Sequence, residues 1–198
     1  MPWARWPIFQ CPKPIPPANL PRALNNILPP DIMICSAVEV EADFHARISA
    51  QSKRYRYLLA ADQANPFTAG YFWPQKKLPD IERMQEAANL LLGQHDFRHF
   101  TLANATVSNF VRTISKLHFY VPNQAELPVY LQNPLALEAC ADGFLYKMVR
   151  LIIARLVAVG QGLLEPAAML QFLQGAEPLQ LPPAPPQGLM LMQVYYAE

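Results

Sequence analysis

Strong charge of either sign is missing from this sequence. Asp, Glu, Lys and Arg make up only 16% of its 198 residues and sum to a formal net charge of +1. A balance so near neutral creates no global field to draw in a polyanion, so any nucleic-acid contact has to be built locally. Cysteine is equally scarce. Cys11, Cys35 and Cys140 are odd in number, widely spaced and without a C-x-x-C pair, which argues against a disulfide framework or a zinc site and fits a reducing cytoplasm. No apolar run is clean enough for a membrane span, because the most apolar one, "FLYKMVRLIIARLVAVG" (144–160), contains Lys147, Arg150 and Arg155. It reads as a buried helix. The opening "MPWARWPIFQCPKPIPP" lacks the basic flank, apolar centre and small-residue cleavage site of a signal peptide. His45, His95, His99 and His118 fall at no metal-ligand spacing, and GxSxG, P-loop and GxGxxG patterns are absent. No metal or other cofactor is expected.

What the chain does have is 52% hydrophobic residues, enough for a sizeable core. Residues 1–19, rich in proline and tryptophan, show neither helical nor strand period. Pro29 and Pro30 stop a short helix predicted over about Pro21 to Leu28. "DIMICSAVEV" (31–40), "KRYRYLLA" (53–60), "FVRTISKLHFYV" (110–121), "ALEACADG" (136–143) and "GLMLMQVYY" (188–196) read as strands. "PDIERMQEAANLLLG" (79–93) reads as a helix with Asp80 as N-cap and Gly93 as its stop. Further helices are predicted over 144–160 and over "EPAAMLQFLQG" (165–175), with Pro166 at the start of the latter. The expected class is α+β: a mixed, largely antiparallel sheet with helices packed on one face.

Local charge appears in one place. "DFHARISAQSKRYRYLL" (43–59) holds Arg47, Lys53, Arg54 and Arg56 with Tyr55 and Tyr57, and no carboxylate after Asp43. Cations that meet phosphates and rings that stack on bases would suit a nucleic-acid surface. The same alternation also describes an ordinary amphipathic strand. Arg150 lies in an apolar setting of Met148, Val149, Leu151, Ile152 and Ile153, where a guanidinium needs a partner, either a structural carboxylate or a catalytic one. Arg155 is expected to face elsewhere and reach solvent.

In this order and at fitting spacing, "DFHARISAQSKRYRYLL", "GQHDFRHF", "VRTI", "GFLYKMVRLIIARLVAVG" and the closing "APPQGLMLMQVYY" resemble the tRNA pseudouridine synthase A family, from about Ile15 to the C-terminus. The resemblance implies an isomerase that converts uridine to pseudouridine at positions 38 to 40 of the tRNA anticodon arm, without cofactor or metal. Its partner is tRNA, and its active form is a homodimer in the cytoplasm. The target base is flipped out of the stack, and an aspartate nucleophile drives breakage of the glycosidic bond. By resemblance Tyr55 packs on the uracil and Arg150 pairs with that aspartate. Phe44, His45, Ala46, Arg47 and Ile48, together with Lys53, Arg54 and Arg112, contact RNA, as does the stretch Asn104–Ser108.

The family's R-T-D-A-G-V-H motif, which carries the nucleophile, does not occur in these residues. The expectation is a pseudouridine synthase fold without its first strand-helix-strand unit. Residues 15–60 would be the rest of the N-terminal half, with the basic strand, and 61–198 the C-terminal half. Back-translation of "MPWARWPI" one base earlier yields [HYND]-A-[LMV]-G-x-[LMV]-A-[HYND] ahead of Phe9, where the family commonly reads H-A-x-G-Q-V-A-H-F. A frame change near Ile8 is therefore expected, so that within the unassigned N-terminus, residues 1–14, the stretch up to Ile8 is out of frame. As written, the chain reads as inactive, with a non-catalytic RNA-binding fragment or a pseudogene product as the alternatives. An accurate read of genomic DNA across the Ile8 codon and upstream of Met1 should reveal R-T-D-A-G-V in the shifted frame. An unrelated sequence there rejects the frame change.

Overall fold

The computed structural model describes residues 7–9, 11, 15–102 and 108–197. In chain order its elements are α1 (Leu20–Asn25), β1 (Ala50–Ala60), β2 (Trp73–Pro74), α2 (Ile81–Asn89), β3 (Gly93–Asp96), β4 (Val111–Tyr120), β5 (Pro134–Ala141), α3 (Met148–Gly160), α4 (Ala168–Leu173) and β6 (Leu189–Tyr196). The strands form one sheet in the order β2-β1-β5-β4-β3, and β6 also pairs with β1. All pairings are antiparallel except β1 with β2. This is the expected α+β class with a mixed sheet.

β1 is bonded on both long edges, to β5 through Lys53–Ala60 and to β6 through Ala50–Tyr57. Its second half, Tyr57 to Ala60, is fully buried, as a strand covered on both faces must be. One face of the sheet meets α2, α3 and α4, where Tyr57, Leu59, Leu117, Phe119, Leu135 and Leu137 join Met84, Ile152, Ile153 and Leu156 in the main core. The other face is covered in part by the β4–β5 connection, where Leu58, Ala60, Phe72, Leu131, Ala136, Met190 and Met192 form a smaller core.

α2 starts as predicted, with the Asp80 carboxylate accepting the Arg83 amide at 3.1 Å. It ends at Asn89 rather than at Gly93. Gly93 adopts φ +95° and opens β3 instead, a strand too short to announce itself in the sequence. Because β3 covers only Val111–Ile114 of β4, the amide of Phe119 and the carbonyl of Leu117 would lack partners. Gln85 of α2 serves both, accepting the first at 2.9 Å and donating to the second at 3.0 Å. A side chain thus closes the edge that no strand reaches.

The structure corrects two further expectations. The segment 31–40 is not a strand. Ile32, Met33, Val38 and Val40 all stay exposed, and no strand among the described residues offers a ladder. The Asn25 amide takes the ladder's place at Ile34, donating to its carbonyl at 3.0 Å and accepting its N–H at 2.8 Å. Arg155 does not reach solvent either. It is 4% exposed, with its guanidinium 4.5 Å from the Phe100 ring centre and 5.2 Å from that of Phe172. α3 is buried on nearly every side, so a position facing away from the sheet meets α4 and the 3-10 turn Arg98–Phe100, not water.

Arg155 leaves Nε and Nη1 without hydrogen bonds, and desolvation lowers its pKa to about 10. Two cation–π contacts, each about 2 kcal/mol when desolvated, offset a desolvation cost of several kcal/mol. Arg155→Met, which keeps the stem volume, should therefore leave stability within about 1 kcal/mol of the parent at neutral pH or raise it. The folded-state pKa is depressed, so above pH 10 the unfolded chain binds more protons at this site and the parent gains stability relative to the Met variant as pH rises. Urea denaturation of both proteins across that range measures the difference, and a large loss in the Met variant at neutral pH would contradict this balance of cation–π gain against desolvation.

Candidate active site

Backbone alternation divides the basic–aromatic run between two surfaces. Tyr55 and Tyr57 lie opposite Ala139 and Leu137 of β5 and pack into the main core toward α3, and Lys53 shares their parity. Arg54 and Arg56 point to the other face. There Arg56, 6% exposed, donates to the carbonyl and carboxylate of Glu126 at 3.0 and 3.3 Å. Arg54 donates to Gln193 at 3.1 Å and lies 4.0 Å from Glu138, whose other oxygen meets Lys116 at 2.6 Å. The four cations of the run therefore do not form one surface with the tyrosines. Two of them already have acidic neighbours behind the sheet.

On the helix side, three elements converge. Tyr55 meets Phe144 edge-on, with centroids 5.2 Å apart and planes at 90°. Arg150, half-buried in the first half of α3, donates from Nε to the Ala184 carbonyl at 2.5 Å, while the Ala184 amide donates back to the Arg150 carbonyl at 3.0 Å. The Tyr57 hydroxyl donates to the neighbouring Pro185 carbonyl at 2.8 Å. Burial pushes the Tyr57 phenol pKa up and the Arg150 charge opposes this in part, so the group stays a protonated donor. The segment just before β6 is thus tied to both β1 and α3. Among the described residues no carboxylate forms an ion pair with Arg150.

Arg112 reaches the same region from β4. Its Nη1 donates to the carbonyls of Asn109 and Val111, and its side chain lies against Gly143, beside the turn that carries Phe144. Asp142 continues the β4–β5 ladder through the Thr113 backbone, fixing that turn. Phe44–Ile48 is anchored at the start of β1. Phe44 packs on Tyr196 at 5.1 Å, the Tyr196 hydroxyl donates to the Ala46 carbonyl at 2.8 Å, and His45 Nδ1 accepts the amides of Arg47 and Ile48. Arg47 and Ile48 stay exposed. Of the stretch Asn104–Ser108, residues 104–107 lie outside the described residues, and Ser108 is exposed. No group of three or more His, Cys, Asp or Glu among the described residues could hold a metal ion. No helix there is long and apolar enough to cross a membrane.

Sequence reasoning missed Phe144 and the Ala184–Pro185 carbonyls, and it grouped Tyr57 with the stacking rings, whereas its hydroxyl anchors the segment before β6. Phe144 is the first residue of the helix expected over 144–160, but α3 starts only at Met148, and Phe144 lies in the connection before it. The backbone groups carry no side-chain signature; only the proline cluster around them hinted at a fixed path. A surface groove lined by Trp73–Asp80, Gly160 and Gln161 lies at the far end of α3 and includes none of these residues.

A family model described as tRNA pseudouridine synthase matches residues 87–197. A Clostridium perfringens protein named tRNA pseudouridine synthase A 2 is 36% identical over 184 residues, covering 92% of this chain and 72% of its own length. The tRNA pseudouridine synthase A of Lysinibacillus sphaericus is 38% identical over 192 residues, covering 95% of this chain and 74% of its own. That of Thermoanaerobacter sp. strain X514 is 35% identical over 184 residues.

Gly188 shows how tightly the site is built. A Cβ there would come within 2.7 Å of the Leu58 carbonyl and 2.8 Å of the Tyr57 ring, both fully buried. Gly188→Ala should cost about 1–3 kcal/mol, because neither neighbour can retreat without breaking the ladder or the Tyr57–Pro185 bond. Chemical denaturation tests this, and an unchanged midpoint would mean that the β1–β6 seam is looser than these distances imply.

Proposed function

The chain belongs to the tRNA pseudouridine synthase family, and from that premise we propose that it isomerises uridines 38 to 40 of the tRNA anticodon arm, with Arg150 as the partner of a nucleophilic aspartate. The observation that carries this reading is the state of Arg150. Its Nε is committed to the Ala184 carbonyl, yet the half-buried charge has no carboxylate among the described residues. A guanidinium so held is preorganised for a carboxylate brought to its remaining nitrogens.

Uridine and pseudouridine contain the same atoms. The N1–C1′ bond is exchanged for C5–C1′, and the proton lost from C5 is balanced by one gained at N1, so the reaction needs no oxidant or reductant. The protein's work is to extrude the base, hold it and stabilise the carboxylate. Tyr55, with Phe144 against its edge, offers the face on which the uracil packs. Lys53, Arg47, Ile48 and Arg112 lie on the same side of the sheet or at its rim and serve as RNA contacts, with Phe44, His45 and Ala46 shaping the turn between them. Arg54 contributes from the other face, where Gln193 and Glu138 already engage it.

No Arg-Thr-Asp sequence occurs in the 198 residues, so in this reading the chain alone binds tRNA without modifying it. The R-T-D-A-G-V-H segment of a relative, fused upstream, restores turnover in a cytoplasmic homodimer. A second reading, a fragment that binds RNA and does nothing more, rests on the same missing sequence and predicts that the fusion stays inactive.

Pseudouridine mapping of anticodon-arm transcripts tests both. The chain alone should yield none, and the fusion should modify the arm. Within the fusion, Arg150→Ala should lower turnover by about 10²–10³-fold, as loss of a preorganised charge partner does, and Tyr55→Ala should impair it severely with tRNA affinity largely kept. Parental rates in either variant would remove these roles.

A further inference from the structure

The turn between β5 and α3 carries two residues for which the chemistry above has no use. After Phe144, which faces Tyr55, and Leu145, which is buried, the chain surfaces at Tyr146, 53% exposed. Lys147 then adopts φ +58°, ψ 11° before Met148 begins α3. For an L-residue the left-handed region costs about 1–2 kcal/mol, and glycine would adopt it freely. Capping gives no reason for the strain, because the Lys147 side chain makes no cap hydrogen bond. Its ammonium instead lies 5.1 Å from the centre of the Tyr146 ring. At a half-exposed site that contact is worth about 0.5–1 kcal/mol and does not offset the strain. The bend is held from outside as well, since the Thr101 hydroxyl donates to the Tyr146 carbonyl at 2.9 Å.

Strain in a well-determined turn beside a site calls for a functional reason. The result of this bend is an exposed ring with a cation over it, on the segment that joins Phe144 to Arg150. That combination fits a nucleotide, which presents a π-face to stack and a phosphate to neutralise.

We propose that Tyr146 and Lys147 form a nucleotide subsite at the mouth of the active site, where the Tyr146 ring stacks on a base flanking the extruded uridine and Lys147 neutralises the adjacent phosphate. The proposal rests on the reading of the chain as a tRNA-modifying protein. Stacking on the flanking base fills the space next to the gap left by the target, so these two residues help hold the nucleotide out of the helix without touching the reacting atoms.

The test is binding of the 198-residue chain to an anticodon stem-loop transcript over a series of salt concentrations, with denaturation of each variant alongside. Lys147→Gly relieves the left-handed strain, so it should be at least as stable as the parent. It should nevertheless bind several-fold more weakly at low salt, with the slope of log affinity against log salt shallower by about 0.7–0.9, the signature of one lost phosphate contact. Tyr146→Ala should weaken binding by about tenfold with the slope unchanged, as loss of one stacked base does, and Tyr146→Phe should bind like the parent. If the parent binds and Lys147→Gly or Tyr146→Ala matches it in affinity and slope, the subsite is overturned while the broader function stands. If the chain alone does not bind, the same titrations are made on the fusion carrying the aspartate segment. A fusion that neither binds nor modifies the transcript overturns both readings.

Discussion

The pairing of β1 on both of its long edges is the constraint from which the rest of the site follows. With β5 on one side and β6 on the other, the strand cannot rotate or slip, and its period of two becomes obligatory. Tyr55 and Tyr57 must face α3, and Arg54 and Arg56 must face away. Once Arg56 is forced under the β4–β5 connection, Glu126 has to meet it, because a buried unpaired guanidinium would cost more than the seam gains. The Tyr57 hydroxyl, equally buried, has to find the Pro185 carbonyl. That bond fixes the segment leading into β6, and through Ala184 the same segment fixes Arg150. A register choice in one strand thus sets the position of a cation on a helix.

α3 shows how two arginines of one apolar helix meet different fates. Arg150 sits half-buried in the first turn of the helix, where a backbone carbonyl is within reach of its Nε. Arg155 is more than a full turn further on, surrounded by α4 and the Arg98–Phe100 turn, where only ring faces are within reach. A ring face stabilises a cation without accepting a hydrogen bond, which is why Nε and Nη1 remain unmet. The same residue type therefore holds a directed, polar position at one end of the helix and an undirected, packed one at the other.

Much of this fold is legible in the sequence, and the omissions have physical reasons. The long strands β1, β4, β5 and β6 and the Asp80-capped helix α2 carry strong periods, and each forms where its period lies. Residues 31–40 carry a strand's composition without a strand's partner; composition describes what a segment can pair with, not whether a partner arrives. β2 and β3 are too short for any period, and Gly93 resembles a helix stop because a left-handed glycine serves a helix end and a strand start equally well. The charged side chains are harder. Alternation correctly separates Arg54 and Arg56 from the tyrosines, yet composition groups all of them as one basic–aromatic patch. Arg155 defies its sequence because solvent is the default for an arginine, whereas α3 is enclosed on the face that should have been free.

The chemistry at position 150 depends on the shape of the guanidinium as well as its charge. In the proposed role Arg150 does two things at once: it fastens the proline-rich approach to β6 and holds a positive charge for a carboxylate partner. A lysine ammonium on the Ala184 carbonyl would aim its single point of charge at that carbonyl and leave nothing directed elsewhere. In a guanidinium, Nε can be fixed to the carbonyl while Nη1 and Nη2 form a rigid fork in the same plane, and that fork matches the two oxygens of a carboxylate. Fixing Nε also removes most of the rotamer freedom that pairing would otherwise cost. The bond to Ala184 therefore does not compete with a carboxylate partner. It orients the charge before such a partner arrives, which is the condition under which an ion pair in a half-buried site stabilises more than its desolvation costs.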